Sequence, residues 1–154
     1  MKKLLALAVG FALINPAYAQ DFTKQKIQLI QKMYDDGRKQ DDDVIMDYAD
    51  KDLKKLYQRN LKVMEQEEAY PCIEFSPMWN SQDPQTKVKV QVSALQNGKI
   101  RAQFIQYKTK ETVDYEVTCN QQRKCAVGNV FNYADGEVSN FAKNLAACLK
   151  EQNG

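Results

Sequence analysis

Four cysteines and no histidine set the chemistry open to this chain of 154 residues. Without histidine, Ser-His-Asp and Cys-His catalysis are excluded, and so are mixed Cys/His zinc sites. Cys119 and Cys125 bracket a polar, basic loop, CNQQRKC, while Cys72 and Cys148 stand alone. An all-cysteine metal site wants two close pairs, and a thioredoxin-type switch wants C-x-x-C. Neither pattern occurs, so no metal and no cofactor is expected. A cysteine ending one strand and another beginning the next can bridge a hairpin directly. Cys119 is therefore expected to pair with Cys125, which leaves Cys72 for Cys148. The run Asp41-Asp42-Asp43 lacks the glycine that a helix-loop-helix calcium site needs at its sixth position, where Met46 stands. It reads instead as an acidic first turn favoured by a helix dipole.

Other residues suit recognition better than catalysis. The stretch PMWNSQDP, residues 77–84, holds the only tryptophan and two of the four prolines. It reads either as a turn in which Trp79 closes the core or as the rim of a contact surface. Trp79, Gln82 and Asp83, together with the hairpin-tip residues Arg123 and Lys124, are the candidate contact surface. Tyr48, Tyr57, Phe104, Tyr115 and Phe131 are core candidates first and pocket lining second. No G-x-S-x-G, P-loop or dinucleotide fingerprint is present.

Several elements would have to position these residues. Residues 1–19 read as a signal peptide: Lys2 and Lys3, an apolar run from Leu4 to Ile14, and Ala17-Tyr18-Ala19 for cleavage. The run is too short to span a bilayer. Periplasmic localisation is expected, in an oxidising compartment that suits structural disulfides, with no stable membrane anchor after cleavage. Taking Lys2 and Lys3 from the 22 basic residues leaves 20 against 20 acidic ones, so no basic excess remains to attract nucleic acid. Residues 20–154 are expected to form a single α+β domain. Ile27, Ile30, Met33 and Tyr34 predict a helix with Asp21 as its cap and Gly37 as its stop. A short helix around Ile45, Tyr48 and Ala49 precedes a longer one with a stripe of Leu53, Leu56, Leu61 and Met64. Period two then takes over: residues 88–94, the Asn97-Gly98 turn, residues 100–104, residues 113–119, and a last strand of Val127, Phe131 and Tyr133. Gly136 is expected to end this meander. Val138, Phe141, Ala142, Leu145, Cys148 and Leu149 predict a terminal helix. The expected fold is a curled four-stranded antiparallel meander with N-terminal helices and a C-terminal helix packed on one face.

This layout resembles the nuclear-transport-factor-2-like (cystatin-like) cone fold. More narrowly, Tyr48, Leu53 and Leu56, followed by Trp79, Gln82 and Asp83, resemble the motifs of an exported Gram-negative family of unknown function. The superfamily includes enzymes, ligand binders and immunity proteins, so the resemblance leaves function open. The principal expectation is a non-catalytic periplasmic interaction protein with a protein partner, such as an inhibitor or immunity partner of a toxin or envelope enzyme. Small-molecule binding at the mouth of the cone is the alternative. An isomerase-like enzyme comes last, because Asp114 or Asp47 would have to enter an apolar cavity and alternation puts Asp114 on the face opposite Tyr115.

Overall fold

A computed structural model describes residues 22–65 and 70–152 of the chain. The expected leader at 1–19 and Asp21, the expected cap, lie outside these residues. Helix α1 spans Thr23–Gln40 and turns Ile30, Met33 and Tyr34 inward. It does not stop at Gly37 but runs on to Asp41, whose left-handed conformation (φ 59°) closes it. Gly37 serves close packing instead: a Cβ there would sit 2.7 Å from Met78 Cε and 3.2 Å from Trp79 Cζ2.

A single turn, α2 (Ile45–Tyr48), leads into α3 (Lys51–Met64). The Asp50 carboxylate caps α3 by accepting from the Asp52 and Leu53 amides at 3.0 and 2.9 Å. The inward stripe is Leu53, Leu56, Tyr57, Asn60 and Val63. Leu61 and Met64, expected in it, face solvent at 60% and 41% exposure. Val63, one residue before Met64, takes the inward place.

The sheet has five strands rather than four, in sequential antiparallel order: β1 (Gln91–Ala94), β2 (Ile100–Gln106), β3 (Thr109–Cys119), β4 (Cys125–Ala134) and β5 (Glu137–Asn140). The first ladder is shorter than expected, although Val88, Val90 and Val92 do pack on the core. Gly136 does not end the meander. Asp135 and Gly136 both take positive φ (51° and 82°), the requirement of a two-residue hairpin turn, and β5 returns along β4. Val138 therefore lies in β5, 55% exposed, and not in the terminal helix. That helix, α4 (Phe141–Glu151), is capped by Asn140 and buries Phe141, Leu145 and Leu149.

One irregularity decides which side chains of β4 face the helices. Glu116 pairs with Asn129 but Val117 pairs with Val127, so Gly128 is an extra residue in β4. Such a bulge reverses the alternation beyond it. Val127 stays on the helix face, while Phe131 and Tyr133 go to the opposite face and Val130 and Asn132 turn inward. The expectation that Val127, Phe131 and Tyr133 share a face is thus corrected. The bulge is also a docking point: the Asp50 amide donates to the Val127 carbonyl at 2.8 Å.

The core lies between the inner sheet face and α1, α3 and α4. It is filled by Tyr34, Met78, Trp79, Ile100, Phe104, Tyr115 and Leu145, each at most 3% exposed. Two disulfides, Cys72–Cys148 and Cys119–Cys125, join the pairs expected from the sequence. Among the described residues, no helix is long and apolar enough to cross a membrane.

Candidate functional site

The loop after Cys72 is pinned along its length. Its residues Ser76 and Ser81 bridge each other, with the Ser76 amide donating to the Ser81 carbonyl at 2.9 Å. The Asp43 carboxylate accepts from the Ser76 hydroxyl and from the Met78 amide. Burial pushes this carboxyl up, against the lowering effect of those donors and of the Ile45 amide. Trp79 Nε1 donates to the Asp42 carbonyl at 3.2 Å, and Gln106 Nε2 donates to the Trp79 carbonyl at 2.7 Å. The tip of the β2–β3 hairpin completes the clamp. Tyr107 and Lys108 both adopt positive φ, unusual for such residues. In that conformation the Tyr107 hydroxyl donates to the Asp83 carbonyl and its amide donates to Gln85 Oε1, both at 2.8 Å.

This fixed loop forms one wall of an open groove of about 630 Å³. The floor is the inner sheet face beyond the apolar core, where Asn132 lies opposite Ser139 and Ala134 opposite Glu137. Glu74, Phe75, Asn80, Ser81 and Gln82 line the loop side, and Asn144 of α4 lines the other. Asn80 holds a left-handed backbone (φ 53°) at the rim. Three asparagines direct their amide nitrogens into the protein. Asn80 Nδ2 donates to Glu111 Oε2 and the Tyr133 carbonyl, Asn132 Nδ2 to the Pro77 carbonyl at 2.8 Å, and Asn144 Nδ2 to Ser139 Oγ. The partners of Asn80 and Asn132 can only accept, which fixes the orientation of both amides. Asn132 is 3% exposed, and its Oδ1 has no hydrogen-bond partner. Comparison with family models, with curated proteins and with solved structures returns no match.

The candidate residues from the sequence separate into distinct places. Gln82 lines the groove, and Asp83 sits exposed beside it. Trp79 is 0% exposed and touches Tyr34 and Phe104 edge-on at centroid distances of 5.0 and 5.6 Å. It is core, not contact surface. Arg123 and Lys124 are exposed at the opposite end of β4 from the groove. Over the ten residues of that strand the separation is about 30 Å, so the two proposed surfaces do not form one patch.

The expected aromatic pocket does not assemble. Phe104 and Tyr115 are packed in the core, where the Tyr115 and Tyr34 hydroxyls lie 2.6 Å apart. Tyr48 lies against α1, donating to Asp36 and accepting from Lys32. Phe131 is on the outer face, with the Lys99 ammonium 3.2 Å from its ring centroid. Tyr57 borders a cleft of about 340 Å³ shared with Asp43, Glu74, Phe75 and Gln82, whereas Phe104 touches a separate cleft of about 300 Å³ with Lys89, Gln103 and Lys110. The Tyr57 hydroxyl is buried without a partner, and burial pushes its pKa well up.

Asp114, the acid weighed for catalysis, is buried on the outer face. It accepts from Arg101 Nε and Nη2 at 2.7 and 2.8 Å and from the Tyr133 hydroxyl at 2.6 Å. Asp47 is exposed. Among the described residues no three acidic or cysteine side chains converge as metal ligands would. The asparagine-lined groove was missed by sequence reasoning. The lone glycine inside β4 was the available signal, since a strand glycine often marks a bulge and would have turned Asn132 inward.

Proposed function

We propose that the protein is an exported, non-catalytic binding protein that engages a protein partner in the periplasm through the groove between the 74–82 loop, the β4–β5 hairpin and α4. The observation that carries this reading is the loop itself, held by Asp42, Asp43, Gln106 and Tyr107 along one wall of an open groove. An ordered recognition loop loses little entropy on docking. Export is supported by the leader motif and by two disulfides without a free cysteine among the described residues. An inhibitor or immunity partner of a toxin or envelope enzyme is the kind of role that fits. We also propose kinship with the nuclear-transport-factor-2-like proteins, supported by the order of helices, antiparallel meander and final helix. Small-molecule binding is a second reading, favoured by the smaller cleft that Tyr57 borders.

A capture experiment tests the main reading. The bait is protein recovered from the osmotic-shock fraction, with Gln20 as its first residue, and the prey is periplasmic extract. Replacing Gln82 and Asp83 together by Ala should weaken capture of the partner and leave Tm nearly unchanged. Replacing Arg123 and Lys124 together by Glu should leave capture intact. A partner held equally well by the Gln82/Asp83 variant and lost by the Arg123/Lys124 variant would move the surface to the hairpin tip.

A further inference from the structure

The chemistry of the groove narrows what can occupy it. Glu74, Asp135 and Glu137 line it, and no lysine or arginine does. None of the three carboxylates takes part in an ion pair among the described residues. The three asparagine amides add to this bias, because their nitrogens already donate to protein acceptors, while the Gln82 amide can donate as well as accept. What the groove offers a ligand is therefore mostly acceptors: the carboxylates and the oxygens of Asn80 and Asn144. An ammonium or guanidinium group carries donors and no acceptor. It can satisfy such a lining without leaving a polar atom of its own unpaired, whereas a carboxylate ligand would face three like charges.

Resting on the binding reading above, we infer that the groove receives a lysine or arginine side chain from an extended segment of the partner polypeptide. The open shape of the groove suits a side chain carried on a chain running across it. The basic head reaches the carboxylates of Glu74 and Glu137, and its aliphatic stem lies along Phe75. Selectivity follows from the lining: an acidic residue at that place meets like charge, and a neutral one gains no ionic attraction.

Amide NMR of the oxidised, isotope-labelled protein tests this with four probes. They are the capped peptides Ac-Gly-Ser-Lys-Ser-Gly-NH2, its Arg and Glu counterparts, and free cadaverine. At low salt the Lys and Arg peptides should shift the side-chain amides of Asn80 and Asn132 and the backbone amides of Glu137 and Ser139. The Glu peptide should leave them in place. Glu74→Gln with Glu137→Gln should weaken the Lys peptide about tenfold, the scale of two or three modest charge contacts. Gln82→Arg places a guanidinium at the rim and should block the peptide by occupying the groove itself. Cadaverine binding as tightly as the Lys peptide would overturn a polypeptide source. Equal binding of the Glu peptide at the same signals would overturn the cationic class while keeping the groove as a binding site. Groove signals unmoved by any probe at millimolar concentration would overturn the inference, even if capture of the partner still depends on Gln82.

Discussion

Asp114 and Asp43 are both withdrawn from solvent, yet their surroundings move them in opposite directions. At Asp114 burial pushes the carboxyl up, but the hydrogen bonds from Arg101 and Tyr133 outweigh it and hold the group below the usual carboxylate range. At Asp43 burial wins. For a carboxyl lowered in the folded state, the stabilisation is complete above the unfolded pKa of about 3.9 and is lost as pH falls through the folded value. Removing Arg101 takes away the strongest contact that lowers Asp114, so burial acts with less opposition. Arg101→Ala should cost about 3 kcal/mol at neutral pH, the low end for breaking a buried pair. Asp114→Asn should cost about 1 kcal/mol, because the freed guanidinium can turn to water. Thermal melts check both, and the gap between wild type and Arg101→Ala should narrow as pH falls from 7 to 3. A gap that widens in acid would show that Asp114 is not held low by Arg101. The alternation of β3 told that Asp114 points away from Tyr115. It could not tell that Arg101 stands opposite Asp114, because that register is set by a Tyr107-Lys108 turn whose residues carry no turn signal.

Among the elements, β2 and most of β3 were legible because each strand keeps a strict period of two over one buried face. The fourth strand was not, because its period breaks at Gly128. Aromatic Phe131 and Tyr133 look like core residues in any pattern, and Asn132 between them looks like surface. The bulge makes the opposite true, since Asn132 is needed at the end of the core to hold the Pro77 carbonyl. A missed turn explains the fifth strand: Asp-Gly is a hairpin signal as well as a stop. Gly128 itself has an ordinary φ, so its requirement is space. A Cβ there would lie 2.9 Å from Asp50 Oδ2, in the carboxylate whose Oδ1 caps α3. Gly128→Ala should displace that cap and cost about 1 kcal/mol, as loss of an N-cap does. Gly98→Ala, where nothing lies within 4 Å of an added Cβ but φ is +81°, makes a useful contrast. Its cost should come from backbone strain alone and leave the amide signals of α3 unmoved, whereas Gly128→Ala should move those of Asp52 and Leu53. Unmoved α3 signals in Gly128→Ala would separate the bulge from the cap.

At the scale of the molecule, the two disulfides constrain different ends. Cys119–Cys125 closes a separation of 6 residues at the far hairpin, whereas Cys72–Cys148 spans 76 and ties the start of the groove-forming loop to the last turns of α4. The Gln152 side chain adds to that second tie by donating to the Tyr70 carbonyl at 2.8 Å. The loop-closure model gives ceilings of about 2 kcal/mol for the short ring and about 4.5 kcal/mol for the long one. The difference matters for binding as well as stability. Glu74 and Phe75 line the groove within three residues of Cys72, so opening the long bridge loosens one wall, while opening the short bridge acts about 30 Å away along β4. Cysteines are best replaced in pairs, so that no odd thiol is left to form a new bond. Cys72→Ser with Cys148→Ser should lower Tm more than Cys119→Ser with Cys125→Ser, and should also weaken partner capture. The second pair should lower Tm modestly and leave capture unchanged. Reductant added to the wild-type protein should reproduce the first pair, which would make the binding surface complete only where disulfides form. Capture lost equally in both pairs, at a temperature where both remain folded, would tie recognition to the stapled hairpin and separate it from the groove.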